Sequence, residues 1–368
     1  MSAPFKTIGV IGGGQLGRML ALAGYPLGLR CVLLDPAPDS PAGQVADVIT
    51  APLDDPAALE QLAAAADVVT IEIENVSVQR LEWLQGIVPV HPPPAAVAAA
   101  QDRLLEKQLF RSLGIPTAPF VAVDSASDLE PAARALGWPV VLKLRRLGYD
   151  GRGQRIVRDA EALAAAWREL GERPCIAEGW VRFERELSLV AVRGADGALA
   201  FYPLAENVHR DGILRTTVAP YADGALQRSA ERYLAAILER FDYRGVLTVE
   251  FFHTGDRLVA NEMAPRVHNS GHWTIEGAET SQFANHLRAV AGWPLGSTAP
   301  RGHAAMINLL GRVPPPERLL AVPGAHLHAY GKSPRANRKV GHCTLVDADR
   351  DRLLARFRAL QALVEAET

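Results

Sequence analysis

The chain has 368 residues, and its 39 lysines and arginines nearly balance 41 aspartates and glutamates, for a formal net charge of −2. That balance gives no reason to expect a nucleic-acid or membrane-surface partner, and no window approaches the roughly 18 apolar residues of a membrane span. Three widely spaced cysteines, Cys31, Cys175 and Cys343, argue against a disulfide framework or a zinc site, so a cytoplasmic protein of two or three domains is expected.

A β-branched run at 7–11 predicts a strand that ends in Gly12-Gly13-Gly14, and a helix follows over 15–23. Strands are predicted at 31–34 and 68–73, and helices at 57–65 and 78–85. Short apolar strands alternating with helices indicate a parallel α/β sheet. His91-Pro92-Pro93-Pro94 closes this unit, because three prolines continue neither a helix nor a central strand.

One long helix is expected over 95–113, stopped by Gly114. A strand at 140–145 leads into the glycine-rich loop 148–153, followed by a helix at 161–170 and strands at 175–177 and 186–192. Asp196-Gly197 signals a hairpin turn, with the return at 201–204. A helix at 223–241, a hairpin of 245–253 with 257–261, and a helix at 282–290 come next. From about Gly302 short strands take over, ending in a helix near 350–365. The fold class is α/β with α+β, in three expected units: 1–100, 101–295 and 296–368.

Several residue patterns carry chemistry. Gly12-x-Gly14-x-x-Gly17 joins a strand to a helix, so its amides suit a phosphate, and Asp35 completes a dinucleotide fingerprint. A plain tight turn is the alternative. Gln15 and Arg18 add polar groups suited to a small phosphorylated ligand. Lys143, followed by Gly148, Tyr149, Asp150, Gly151, Arg152, Gly153 and Gln154, places a charge and a flexible loop for nucleotide phosphates. An ordinary hairpin with a surface lysine is the alternative there. Glu178 and Glu186 could line an adenine pocket or simply face solvent.

Glu250 and Glu262 sit on two strands joined by a short turn, which sets their carboxylates side by side among apolar neighbours. Such a pair is costly to desolvate, and Mg²⁺ relieves that cost, taking protein carboxylates plus substrate phosphates. Arg266, His268, Asn269, Ser270 and His272 crowd donors into the next loop, where Arg266 and His268 suit a small oxyanion. Lys332, Arg335, Arg338 and Lys339 form a basic segment, alternatively a solvated turn.

The strings GGGQLGRM at 12–19, DRLLEKQLF at 102–110, GYDGRGQ at 148–154, HRDGILRTT at 209–217, NEMAPRVHNSGHWT at 261–274 and NRKVGH at 337–342 together resemble the ATP-grasp superfamily. The resemblance is closer still to its 5-(carboxyamino)imidazole ribonucleotide synthase family, over nearly the whole chain. It implies an ATP-grasp fold with an N-terminal Rossmann-like domain and a small mixed C-terminal domain. By that similarity Arg103, Lys143, the 148–154 loop, Glu178, Val181, Glu186 and His209 would contact ATP. Glu250, Glu262 and Asn261 would hold Mg²⁺ and phosphates.

Gln15, Leu16, Glu72, Asn75, Asp150, Arg335, Arg338 and Lys339 would hold 5-aminoimidazole ribonucleotide. Asp150, Arg266, His268, Asn269 and Lys332 are the candidate catalytic residues. Arg266, His268 and Asn269 are expected to converge on bicarbonate, with His268 accepting its proton. The family usually has Pro-Gly where this chain has Ala336-Asn337. No lysine lies in an Ala-Met-Lys-Met context, so biotin is not expected. The implied activity is ATP- and bicarbonate-dependent carboxylation of that ribonucleotide through carboxyphosphate, in a homodimer with small-molecule substrates. The alternatives are another ATP-grasp carboxylate–amine ligase, an NAD-dependent oxidoreductase that would leave the Glu250/Glu262 pair idle, and a non-catalytic nucleotide-binding module.

Overall fold

Strands β1 (Thr7–Ile11), β2 (Arg30–Asp35), β3 (Asp47–Thr50) and β4 (Val68–Ile71) form a parallel sheet in the order β3-β2-β1-β4. The coordinates are a computed structural model that describes residues 6–148 and 153–367. Alternate residues serve opposite faces of this sheet. Ile8, Val10 and Leu33 share one core with Met19 and Leu20 of the helix Gln15–Gly24. Ile11 and Leu34 share another with Leu59 and Leu62 of the helix Pro56–Ala65. Both faces are covered, which is why these strands read as continuous apolar runs.

A second sheet is antiparallel: β5 (Phe120–Val123), β6 (Val140–Leu144), β7 (Gln154–Val157) and β8 (Cys175–Gly179), in the order β5-β8-β6-β7. The third sheet has nine strands: β9 (Arg185–Arg193), β10 (Leu199–Phe201), β11 (Ala205–Arg210), β12 (Ile213–Ala219), β13 (Gly245–Thr254), β14 (Arg257–Ala264), β15 (His303–Gly311), β16 (Ala325–Ala329) and β17 (Arg335–Asp347). Its order is β14-β13-β9-β11-β12-β15-β17-β16, with β10 beside β9. The pairing of β12 with β15 carries it unbroken past residue 296. The three cysteines are free and buried.

Several features depart from the predicted elements. The single helix expected over 95–113 is two helices, Pro94–Gln101 and Arg103–Ser112, broken at Asp102. Asp102 takes an extended conformation, and its carboxylate accepts from the amides of Leu104 and Leu105 at 3.0 and 3.4 Å. This is an N-cap, and it starts a second helix. Strands β5, β7, β11 and β12 were not predicted, and neither were the helix Leu129–Leu136 and the four-residue edge strand β3.

Candidate active site

The hairpin of β13 and β14 sets Glu250 opposite Glu262 in register, as expected. Burial raises the Glu250 carboxyl well above the ordinary range, against the pull of His209. Burial acts the same way on Glu262, but the Arg103 charge and hydrogen bond outweigh it and bring that group down. The Arg103 Nη1 to Glu262 Oε2 distance is 2.9 Å. The helix break places Arg103 there: its amide donates to the carbonyl of Arg145 at 2.9 Å, and its Nη2 reaches the carbonyl of Gly148 at 3.4 Å.

A cavity of about 800 Å³ gathers most of the candidate residues. Glu250, Glu262, Arg266, His268 and Asn269 line it together with Arg103 and Gly148. So do Gln15, Leu16, Glu72 and Asn75 from the first sheet, and Lys332, Arg335, Arg338 and Lys339 from the start of β17 and the loop before it. Lys332 hydrogen-bonds Gln15 Oε1, and burial among Arg338, Lys339 and Arg335 lowers its pKa to about 8. Asn337 has φ +61°, the left-handed conformation that asparagine tolerates in place of glycine. The Ala336-Asn337 pair therefore supplies the turn that a Pro-Gly pair would.

A second group lies outside that cavity, between the second and third sheets. Lys143 on β6 donates to Glu178 Oε2 on β8 at 2.9 Å and lies 3.5 Å from Asn261 Oδ1. Glu178 is buried with its Oε1 unpartnered, so it does not face solvent. Val181 follows β8, and Gln154, next to Gly153, pairs in register with Lys143. Glu186 Oε2 lies 2.9 Å from His209 Nδ1, and His209 Nε2 lies 3.9 Å from Glu250. Burial disfavours the charged His209 ring, but its bond to Glu186 and the Glu250 charge push it up to about 9. The ring is therefore protonated at neutral pH and donates to Glu186. Tyr149, Asp150, Gly151 and Arg152 lie outside the described residues.

Several expectations are corrected. The glycine turn does not offer its amides to a phosphate as expected. Gly14 and Gly17 donate to the two oxygens of Glu72 at 2.7 and 2.8 Å, and Gly13 donates to Asp35 at 2.7 Å. The glycines make room for that carboxylate: a Cβ on Gly12 would meet Glu72 Cγ at 2.5 Å, and one on Gly14 would meet Oε1 at 2.7 Å. The chain's own carboxylates fill this anion site, which removes the dinucleotide reading. Of the first-turn amides, those of Gln15 and Leu16 are the ones Glu72 leaves.

The predicted convergence of Arg266, His268 and Asn269 is also altered. Arg266 closes its Nε and Nη2 edge around Glu74 at 2.5 and 3.0 Å. Asn269 exchanges two amide hydrogen bonds with Asn308 on β15, at 3.0 and 2.8 Å. His268 Nδ1 is engaged by Ser270, and Nε2 lies 3.6 Å from Glu250 Oε1. Burial, with Arg266 adding to it, lowers the His268 ring to about 3, so it is a neutral imidazole and a poor base.

Sequence reasoning missed Glu74, Lys107 and Glu106. Lys107 is buried on the restarted helix, donates to the carbonyls of Ala260 and Asn261, and lies 3.7 Å from Glu178. Glu106 accepts from the amide of Met263 at 2.7 Å. The signal was the i, i+3, i+4 spacing of Arg103, Glu106 and Lys107, which shares one helix face.

Comparison with known proteins gives three domain matches in chain order. Residues 5–101 match the ribonucleotide synthetase preATP-grasp domain, 108–283 the ATP-grasp domain, and 304–356 the phosphoribosylaminoimidazole carboxylase C-terminal domain. The chain is 54% identical over 359 residues to the N5-carboxyaminoimidazole ribonucleotide synthase of Pseudomonas aeruginosa, covering 98% of this chain and 99% of the relative. It superposes on the N5-carboxyaminoimidazole ribonucleotide synthetase of Thermus thermophilus with a TM-score of 0.93 at 54% identity, covering 97% and 98% of the two chains. The Aspergillus clavatus N5-carboxyaminoimidazole synthase, solved in complex with ADP and 5-aminoimidazole ribonucleotide, gives a TM-score of 0.92 at 32% identity over 99% of each chain. With the three domains in order and such identity over nearly its whole length, the chain belongs to the N5-carboxyaminoimidazole ribonucleotide synthase family.

Proposed function

We propose that this chain uses ATP and bicarbonate to carboxylate the exocyclic amine of 5-aminoimidazole ribonucleotide, releasing ADP and phosphate, as a step of purine synthesis. The observation that carries this reading is the single cavity in which the Glu250/Glu262 pair shares walls with Lys332, Arg335, Arg338 and Lys339. A nucleotide's γ-phosphate at the carboxylate end and a ribonucleotide phosphate at the basic end would lie within one shared space.

Lys143, Glu178, Glu186, His209 and Arg103 hold ATP between the second and third sheets. Glu250 and Glu262 fit Mg²⁺. Both are cavity-lining carboxylates in register, and burial strains the charge of Glu250. Among the described residues no third His, Cys, Asp or Glu joins them in a metal-binding group. Phosphate oxygens and water would complete the shell, which is how Mg²⁺ commonly binds. The ion would supply charge neutralisation on the transferring phosphoryl group.

Bicarbonate attacks the γ-phosphorus through its anionic oxygen. One P–O bond forms, the bond to ADP breaks, and carboxyphosphate results. The amine nitrogen then takes up the carboxyl carbon and phosphate departs. Gln15, Leu16, Glu72 and Asn75 position the ribonucleotide beside Lys332, which handles its amine proton; Asp150, assigned the same task by resemblance, lies outside the described residues. Arg266, locked to Glu74, supplies positive charge near the carboxyl group, and His268 and Asn269 line the same wall. The three units 1–100, 101–295 and 296–368 divide these tasks. No helix among the described residues is long and apolar enough to cross a membrane. A cytoplasmic homodimer is the proposed setting, checked by sedimentation velocity.

The decisive experiment measures ADP release with each component omitted in turn. The reading expects release to depend on bicarbonate and to accelerate with 5-aminoimidazole ribonucleotide. Release driven equally by formate or an amino acid would move the chain to another ATP-grasp ligase class.

A further inference from the structure

Four buried side chains stand one behind another on the far side of His268, and none has a role in the scheme above. Thr217 on β12 donates from Oγ1 to Asn207 Oδ1 on β11 at 2.9 Å. Asn207 Nδ2 donates to Ser188 Oγ on β9 at 2.9 Å. Ser188 donates to Ser270 Oγ at 2.9 Å, and Ser270 Oγ lies 2.9 Å from His268 Nδ1. The row crosses three neighbouring strands and ends in the loop after β14. Asn207 is 3% exposed, Ser188 1%, and Thr217 and Ser270 are fully buried. Polar groups buried this deeply are expensive unless paired, so the row holds a definite arrangement.

Its direction follows from a backbone group that cannot reverse. The backbone N–H of Ser270 also points at His268 Nδ1, at 3.3 Å, and a backbone amide only donates. Nδ1 is therefore an acceptor. At the other end the Asn207 oxygen is taken by Thr217, which leaves its NH₂ to donate inward. The two ends agree, and each serine hydroxyl, with one proton to give, passes it toward the histidine. An imidazole nitrogen that accepts from two donors carries no proton, so the ring's proton is on Nε2. Nε2 faces the cavity, 3.6 Å from the Glu250 carboxylate.

We infer that Asn207, Ser188 and Ser270 are positioning residues that hold His268 as an Nε2–H donor, so that this ring orients bicarbonate by donating to one of its oxygens and does not take its proton. This rests on the bicarbonate reading above. It suits the chemistry, because attack through an oxygen that is already anionic needs no base. The expectation that His268 accepts the bicarbonate proton is thereby replaced.

The test has two readouts. Protein labelled with ¹⁵N-histidine, observed through its two-bond ring correlations, reports the tautomer of His268; the pattern lost in His268→Gln identifies it. The expected pattern is protonated Nε2 and bare Nδ1, with no nucleotide or substrate present. Asn207→Asp puts an acceptor where a donor stood, so the two hydroxyls turn away and Nδ1 loses its stronger donor. The Nε2–H pattern should weaken, and the bicarbonate KM should rise roughly tenfold, the scale of one misdirected buried hydrogen bond, while the ATP KM stays put. Thr217→Val keeps the volume, frees the amide to turn, and should move both readouts the same way by less. A protonated Nδ1 in the unmodified protein overturns the inference outright, whatever the activity. A tautomer that shifts in the variants without any change in bicarbonate KM overturns His268's part in bicarbonate recognition and leaves the carboxylation itself standing.

Discussion

Glu262 holds two partners in view: Arg103 at 2.9 Å and, across the hairpin, Glu250. Glu262→Gln keeps the volume and a neutral contact to Arg103 but removes a charge from the candidate Mg²⁺ site. Turnover is expected to fall at least ~100-fold, the scale of losing one preorganised electrostatic group, with the circular dichroism spectrum unchanged. Turnover with a magnesium dependence like that of the unsubstituted protein would remove Glu262 from the metal site. Lys143 is bound differently, through the buried Glu178 that Lys107 also approaches. Lys143→Met should raise the ATP KM by one to two orders of magnitude, about 1–3 kcal/mol for a lost charge-assisted contact. An unaltered ATP KM would leave Lys143 as a structural partner of Glu178 alone. Both residues were legible because a lysine or glutamate on an apolar strand stands out. Glu74 was not legible, since its bond to Arg266 joins residues 192 apart in the chain.

The broken helix shows how an element is tuned to deliver a side chain. The alanines before residue 101 favour helix so strongly that they mask a boundary set by one aspartate. Asp102→Ala removes the cap on the amides of Leu104 and Leu105, which should cost about 1 kcal/mol of stability. The loss is read as a lower thermal midpoint, accompanied by a higher ATP KM because Arg103 follows the cap. A lower midpoint with normal kinetics would separate the cap from the site. The turn at Asn337 makes the complementary case. Asn337→Gly should keep activity and stability, whereas Asn337→Val, forced to φ +61°, should lose about 1–3 kcal/mol. Periodicity identified most helices and the β13–β14 hairpin because their apolar stripes are regular. It failed at β11 and β12, where Asn207, Thr216 and Thr217 are buried polar residues satisfied by one another or by the sheet, so apolar alternation is missing.

At the scale of the molecule, the first and third sheets are tied by a buried histidine. His286 Nδ1 accepts from the amide of Val246 on β13 at 3.1 Å, so its Nε2–H donates to Thr70 on β4 at 2.8 Å. Burial, with a small push from His91, lowers this ring to about 3. In the unfolded chain it titrates near ~6.5. Above that pH neither state is charged and the link contributes in full. As pH falls below it, the unfolded chain binds a proton that the folded one refuses, so stability declines by about 1 kcal/mol per pH unit toward pH 3. Thermal midpoints should therefore drop between pH 7 and pH 5, and His286→Gln should flatten part of that slope. An equal slope in the variant would assign the acid sensitivity to other groups. The parallel sheet itself was readable from composition, whereas its tether to a distant helix was not, because a single buried histidine leaves no periodic trace. The nine-stranded sheet has a consequence during synthesis. Strand β12 finishes at Ala219, but its neighbour β15 begins only at His303. While the ribosome makes the stretch between them, the nascent sheet presents an open edge of backbone donors and acceptors, the kind that invites pairing with another chain. Translation arrested near residue 296 should thus release a fragment that aggregates, and the last seventy-odd residues act for the growing chain as the cover that closes its own template.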